Sequence, residues 1–214
     1  MGSRVQKIVL FTLSACPMGR SMDTVLSEIK NKFPFIEFET IYVEVMTDIT
    51  NHYKIKKNPT ILILDKQNNE RYRVEGFVEI EELIDTIEKV NKSKLDSSRK
   101  FESNQETVET YTIYFYKNKD IVPLEMHYNN VTSVQAPRII VINLLINTKI
   151  DGYENPFPLS SKLERVNFDR HRGDVVIHID LEEVEKATMN KMKLALAKTL
   201  SHFGIKNVQL TIVN

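Results

Sequence analysis

The chain has 214 residues, with 29 basic and 29 acidic side chains, so its formal charge is zero and it lacks the cationic surplus of a general nucleic-acid binder. Hydrophobic residues make up 42% and charged residues 27%, as in an ordinary globular protein, and no apolar run approaches the ~20 residues of a membrane span. A single cysteine excludes an internal disulfide framework and any multi-cysteine metal cage. No signal peptide is visible, so a cytoplasmic location is expected unless a leading segment once preceded Met1-Gly2-Ser3.

In chain order, residues 7–13 form a compact apolar run that predicts a buried strand. Met18, Met22, Val25, Leu26, Ile29 and Phe33 recur at helical spacing over 18–32. Residues 36–45 alternate as a strand, and 47–53 predict a short helix capped by Thr47 or Asp48. Strands over 60–64 and 72–76 flank a polar turn at 66–70. Ile80, Leu83, Ile84, Ile87 and Val90 then mark an amphipathic helix. The stretch 91–109 is poor in apolar residues and reads as a linker, which gives domains over 4–92 and 110–214 joined by residues 93–109. Charge does not distinguish the two halves, and neither repeats the other.

The second half opens with a β-branched, aromatic strand over 110–116 and a further strand over 121–127. Residues 138–150 carry apolar side chains near helical spacing, yet their Ile and Val content also suits a strand. Pro137 at a first helical position favours helix. Strands over 162–168 and 174–181 enclose the turn 169–173. A long helix follows over 181–203, with Val184, Thr188, Met192, Ala195, Leu196, Thr199, Leu200 and Phe203 on its buried face and Gly204 as its cap. Its acidic start, Glu182, Glu183 and Glu185, complements the helix dipole. Residues 208–213 form the last strand.

Two motifs in the first half carry a resemblance. Cys16 follows a strand and opens a helix in Ser14-Ala15-Cys16-Pro17-Met18-Gly19-Arg20. Tyr53-Lys54-Ile55-Lys56-Lys57-Asn58-Pro59-Thr60 has the form Y-x-I-x-x-x-P-T. With the order β-α-β-α-β-β-α they make residues 4–92 resemble the thioredoxin and glutaredoxin fold. Leu26 and Ile29 take the spacing of the family's first helix if Gly19 stands where the second cysteine would, and Gly76 falls on its usual glycine. The resemblance implies Cys16 as the nucleophile and Pro59 as a cis proline facing it. A cysteine at a helix N-terminus meets unpaired N–H groups and the positive dipole end, which favour thiolate. Dithiol cycling needs a second sulfur, and Gly19 supplies none. The expectation is therefore a non-catalytic or weakly redox-active module. The alternative is a monothiol oxidoreductase that forms mixed disulfides through Cys16, with glutathione as its resolving thiol. No other cofactor is expected.

Residues 110–214 resemble the GerMN domain of sporulation and spore-germination proteins. The resemblance rests on Tyr114-Phe115, Leu144-Leu145, Pro158 and the ending Leu196-Ala197-Lys198-Thr199-Leu200-Ser201-His202-Phe203-Gly204. It implies a small α+β unit similar to ring-building modules, and protein contacts rather than catalysis. The fold class expected for the whole chain is thus α/β plus α+β. A protein partner is expected, at a surface that includes Arg170 and Arg172 on the hairpin tip beside Glu182, Glu185, Lys186 and Lys193. No metal is expected, because the five histidines have no ligand spacing. His171 between the two arginines reads as a solvated tip. Partner identity and oligomeric state are left open by the sequence.

Overall fold

The computed structural model describes residues 5–95, 106–132, 134–180 and 184–214. By its internal contacts the chain divides into two compact units, Met1–Thr107 with Asn130–Gln135, and Val108–Asn129 with Ala136–Asn214.

The first unit contains β1 (Lys7–Thr12), α1 (Pro17–Ile29), β2 (Glu37–Tyr42), α2 (Thr47–His52), β3 (Thr60–Leu64), β4 (Glu70–Glu75) and α3 (Ile80–Asn91). The strands form one mixed sheet in the order β2-β1-β3-β4, with β1 parallel to β2 and the other pairs antiparallel. β1 and β3 are central, with the apolar runs Ile8–Phe11 and Ile61–Leu64 buried, as strands covered on both faces must be. Ile8, Leu10, Ile61 and Ile63 join Met22, Val25, Leu26 and Ile29 of α1 and Leu83, Ile87 and Val90 of α3 in one core. At ~1.5–3 kcal/mol for each large apolar side chain buried, this layer is the main source of the unit's stability.

The polar details are local. Asp65 closes the β3–β4 turn, its carboxylate accepting from the backbone N–H groups of Gln67 and Asn69 at 2.9 Å each and meeting the Arg71 guanidinium at 2.6 Å. The N-cap of α2 is Met46, with no side-chain cap bond, so neither Thr47 nor Asp48 caps the helix. α3 extends to Asn91, whose side chain accepts from the Val5 N–H at 2.9 Å. The middle of the expected linker, residues 96–105, lies outside the described residues.

The second unit contains β5 (Thr107–Lys117), β6 (Asp120–Asn130), α4 (Pro137–Asn147), β7 (Lys162–Asp169), β8 (Arg172–His178), α5 (Lys186–Ser201) and β9 (Asn207–Val213). β5 and β6 pair as a two-stranded sheet, and β7-β8-β9 form a three-stranded one with β8 parallel to β9 across α5. β5 therefore begins inside the stretch expected to be linker. α4 is a helix with Pro137 in its first turn, and its ambiguity in the sequence has a cause. Ile139, Ile140, Val141, Ile142, Leu145 and Ile146 are all buried, so the helix is apolar all round and shows no polar face. α5 starts at Lys186, later than expected, with no acid in its first turn. Of the acidic start, Glu182 and Glu183 lie outside the described residues and Glu185 is the N-cap. No described helix is long and apolar enough to cross a membrane.

Candidate functional site

Strand register brings four loops to one end of the first sheet. Thr12 of β1 lies opposite Tyr42 of β2, Phe11 opposite Thr60 of β3, and Thr60 opposite Glu75 of β4. The end of β1, the end of β2, the start of β3 and the end of β4 therefore share an edge. The segments that follow or precede them carry Cys16, Val45, Pro59 and Phe77.

Cys16 is the N-cap of α1, and Pro17 in the first turn forgoes an N–H that would have had no helical partner. The Cys16 N–H donates to the Leu13 carbonyl at 3.0 Å, and its own carbonyl accepts from Arg20 at 3.2 Å. The residue is 8% exposed. The Asn58–Pro59 peptide is cis. The carbonyl of Pro59 accepts from the Gly76 N–H at 2.8 Å, which ties the start of β3 to the end of β4. Gly76 has φ +90, a conformation that favours glycine.

Three residues that the sequence reading passed over organise this end. The Asn58 carboxamide oxygen accepts from the Leu13 N–H at 2.9 Å and from the Thr12 hydroxyl at 3.0 Å. It thus clamps the residue before Pro59 onto the chain that leads to Cys16. Thr12 also governs position 19, where a Cβ on Gly19 would meet the Thr12 Oγ1 at 1.8 Å and its Cβ at 2.8 Å. No side chain fits there without displacing Thr12. Arg73 of β4 holds the loop before Pro59 from below. Its buried guanidinium donates to the Tyr53 carbonyl at 2.6 Å and the Lys54 carbonyl at 3.2 Å, and pairs with Glu70 at 3.0 and 2.6 Å. An arginine in an edge strand gives no such signal in a sequence, whereas Asn58 beside Pro59 reads only as a turn.

Around the site, Met18, Met46 and Phe77 are exposed and Val45 is 70% exposed. Met18 lies in the first turn of α1, and the other three sit on the loops just described. Burial raises the titration of the Tyr53 phenol above its ordinary range. Among the described residues no cluster of three or more His, Cys, Asp or Glu side chains is placed to hold a metal ion.

The expected contact residues lie in the second unit. Arg172 is occupied within its own sheet, its guanidinium donating to Asp174 and Gln209 at 2.9 Å each. Arg170 stands exposed at the hairpin tip with φ +48. The His171 carbonyl accepts from the N–H groups of Lys206 and Asn207, which ties the tip to the turn before β9.

Residues 2–89 match the model of the family described as Thioredoxin. A thioredoxin H-type protein of Fagopyrum esculentum is 32% identical over 69 residues, which is 32% of this chain and 59% of that relative's length. Among solved structures, the thioredoxin NaTrxh of Nicotiana alata shares 26% identity, with 41% of this chain and 75% of that one covered, at a TM-score of 0.38. Thioredoxin 1 of Thermosipho africanus TCF52B shares 28%, with 42% and 98% covered, at 0.37. The family match ends at residue 89 and does not reach residues 110–214, so it lends nothing to the GerMN expectation. The N-terminal part of this chain is a thioredoxin-like domain.

Proposed function

We propose that this chain is a two-domain contact protein whose thioredoxin-like domain binds protein segments at the Cys16–Pro59 end of its sheet and does no dithiol turnover. The observation that carries this reading is the closure of position 19. Dithiol exchange proceeds through a mixed disulfide that a second thiolate of the same protein attacks. Here that thiolate is absent from the sequence, and its place is closed by the Thr12 hydroxyl. The exposed Met18, Val45, Met46 and Phe77 supply a surface for apolar side chains of a partner. The second domain, over 110–214, adds protein contacts of the ring-building kind that its GerMN resemblance implies, in the setting of sporulation or germination. A cytoplasmic location fits a chain with one thiol and no disulfide.

One observation favours a second reading, monothiol exchange. Cys16 keeps the helix N-terminal place of a nucleophile. In that reaction the Cys16 thiolate attacks the glutathione sulfur of a client protein's mixed disulfide with glutathione, releases the client thiolate and itself becomes glutathionylated. A second glutathione thiolate then attacks the glutathione sulfur of the Cys16 mixed disulfide and frees Cys16.

The test is turnover. With thioredoxin reductase and its reductant, insulin should be reduced no faster by the protein than by its Cys16→Ser variant. Thiol-independent turnover would overturn the proposal. Catalysis that appears only with added glutathione, and vanishes in Cys16→Ser, would replace it with the monothiol reading.

A further inference from the structure

The segment Asn130–Gln135 runs from the last residue of β6 toward α4, yet it packs as part of the first unit. Three of its described residues are bonded to one another. The Thr132 hydroxyl donates to Asn130 Oδ1 at 3.2 Å, the Val134 N–H donates to the Thr132 hydroxyl at 3.3 Å, and Asn130 Nδ2 donates to the Val134 carbonyl at 3.0 Å. Asn130, Thr132 and Val134 are all buried. A connection that satisfies its own polar groups and buries a valine is a shaped part of a core, unlike an ordinary surface loop.

What it grips is the descent from α2 to Pro59. Asn51 Nδ2 donates to the Val131 carbonyl at 2.9 Å, and the Gln135 N–H donates to the Lys56 carbonyl at 3.3 Å. The neighbouring carbonyls of this descent are also held. Those of Tyr53 and Lys54 accept from Arg73, and that of Lys57 accepts from the Thr60 hydroxyl at 2.8 Å. Asn58 follows at once, bonded to Thr12 and Leu13, and the Leu13 carbonyl accepts from the Cys16 N–H. Hydrogen bonds at Lys56 and at Asn58, joined by the two peptide links between them, therefore connect residues 130–135 through the Pro59 loop to the chain at Cys16.

We infer that Asn130–Gln135 is an intramolecular strap, in which Val134, Gln135 and the Asn51 contact are positioning elements that hold the Pro59 loop and with it set how far Cys16 is open to reagents. The inference needs no assumption about whether the thiol is used. It makes the thioredoxin-like domain incomplete as residues 4–92, and it links the site to the chain between β6 and α4.

The experiment uses the full chain. Val134→Asp places a carboxylate at a buried position and should lift the strap. Amide exchange across residues 51–57 and alkylation of Cys16 by iodoacetamide should then both quicken by roughly fivefold or more, the worth of a lost hydrogen bond. Exchange in β7, β8 and β9 should not change. Val134→Ile, which keeps the plug apolar, should hold the parent rates. Fast exchange at 131–135 with parent rates at 51–57 and at Cys16 would overturn the inference, as would fast rates in Val134→Ile. If Val134→Asp does not fold, Asn51→Ala decides, since it removes the bond to Val131. A rise of roughly fivefold in both readings supports the strap, and unchanged rates in that folded variant refute it.

Discussion

The two units solve the same problem with different helices. In the first, α1 and α3 bury one side only, through Met22, Val25, Leu26 and Ile29 and through Leu83, Ile87 and Val90, and leave polar residues outside. In the second, α4 is buried on all sides through a run of Ile and Val. A one-sided helix declares the sheet it covers, so its position follows from spacing. An enclosed helix declares only that it is enclosed. The first unit also spends buried polar groups on one end of its sheet, where Arg73, Asn58 and Thr12 fix the loops around Cys16. The lesson is that the helices of the two units differ in how openly spacing declares their buried side, while both units pair distant residues through polar groups, Thr12 with Asn58 in the first and Tyr114 with Thr199 in the second.

The strongest test of that contrast is Arg73→Met. Its side chain is 4% exposed and pairs with Glu70, itself largely buried. Removing the cation leaves a buried carboxylate and two carbonyls without their donor, which should cost the first unit about 3–5 kcal/mol. Denaturant unfolding followed by amide exchange should show the loss in β1–β4 and leave β7, β8 and β9 at parent values. An equal loss in both units would mean that they unfold as one. Ile142→Ala is the mirror experiment. Truncating a fully buried isoleucine in α4 should cost the second unit about 2–5 kcal/mol and leave the first unchanged.

Gly19→Cys sharpens the reading of the site. The new Cβ would overlap the Thr12 hydroxyl, so the variant should be destabilised by about 1–3 kcal/mol and gain no insulin-reducing activity. Adding Thr12→Ala removes the nearest atom and should recover part of that loss in a thermal melt. A Gly19→Cys variant as stable as its parent would show that position 19 is not closed after all.

Much of this was legible in the sequence. Cys16 and Pro59 stand out because a cysteine at a strand-to-helix junction and a proline before an apolar strand are local patterns. The order of strands and helices follows from the two periodicities of β1–β4 and of α1 and α3. Thr12, Asn58 and Arg73 were not legible, because their roles depend on partners far along the chain, 46 residues away for Thr12 and Asn58. The late start of α5 escaped for a related reason. Acidic residues before a helix look alike whether they lie in its first turn or precede its cap. Nor does anything in Asn130–Gln135 point to the loop around Lys56, since the two Val and the polar residues between them read as an ordinary connection.

The turn at Asp65 gives a smaller effect with a definite sign. Burial alone would raise this carboxyl. The Asn69 backbone N–H, the Asn69 amide, the Gln67 N–H and Arg71 outweigh it and hold the group below its ordinary range. The contribution of the group to stability is therefore complete above the ordinary carboxylate value of ~3.9, and is lost as pH falls through the lower folded value. Asp65→Asn should cost about 1–3 kcal/mol at neutral pH, and the difference between variant and parent should shrink only in strong acid. A difference already gone at pH 5 would show that the carboxylate is not the group holding the turn.

The smallest effect on stability belongs to the hairpin tip, and it separates two arginines that look equivalent in the sequence. Arg172 is engaged with Asp174 and Gln209, whereas Arg170 projects from a turn with its guanidinium in no hydrogen bond or ion pair among the described residues. Reversing Arg170 to Glu should move stability by no more than about 0.5 kcal/mol, as for a surface site without partners. Arg172→Glu sets a carboxylate against Asp174 and should cost somewhat more. A contact surface shows the opposite ranking in binding. Charges at the rim of an interface act through encounter, so Arg170→Glu should slow association with an acidic partner and weaken its salt dependence, with little change in dissociation. The measurement is a pull-down from source cells at two salt concentrations, followed by association kinetics with any protein recovered. Recovery reduced by Arg170→Glu, with the circular dichroism of the parent, places the tip in the interface. Equal recovery of the same partner by both variants and the parent removes it, and leaves the apolar end of the first sheet as the contact surface.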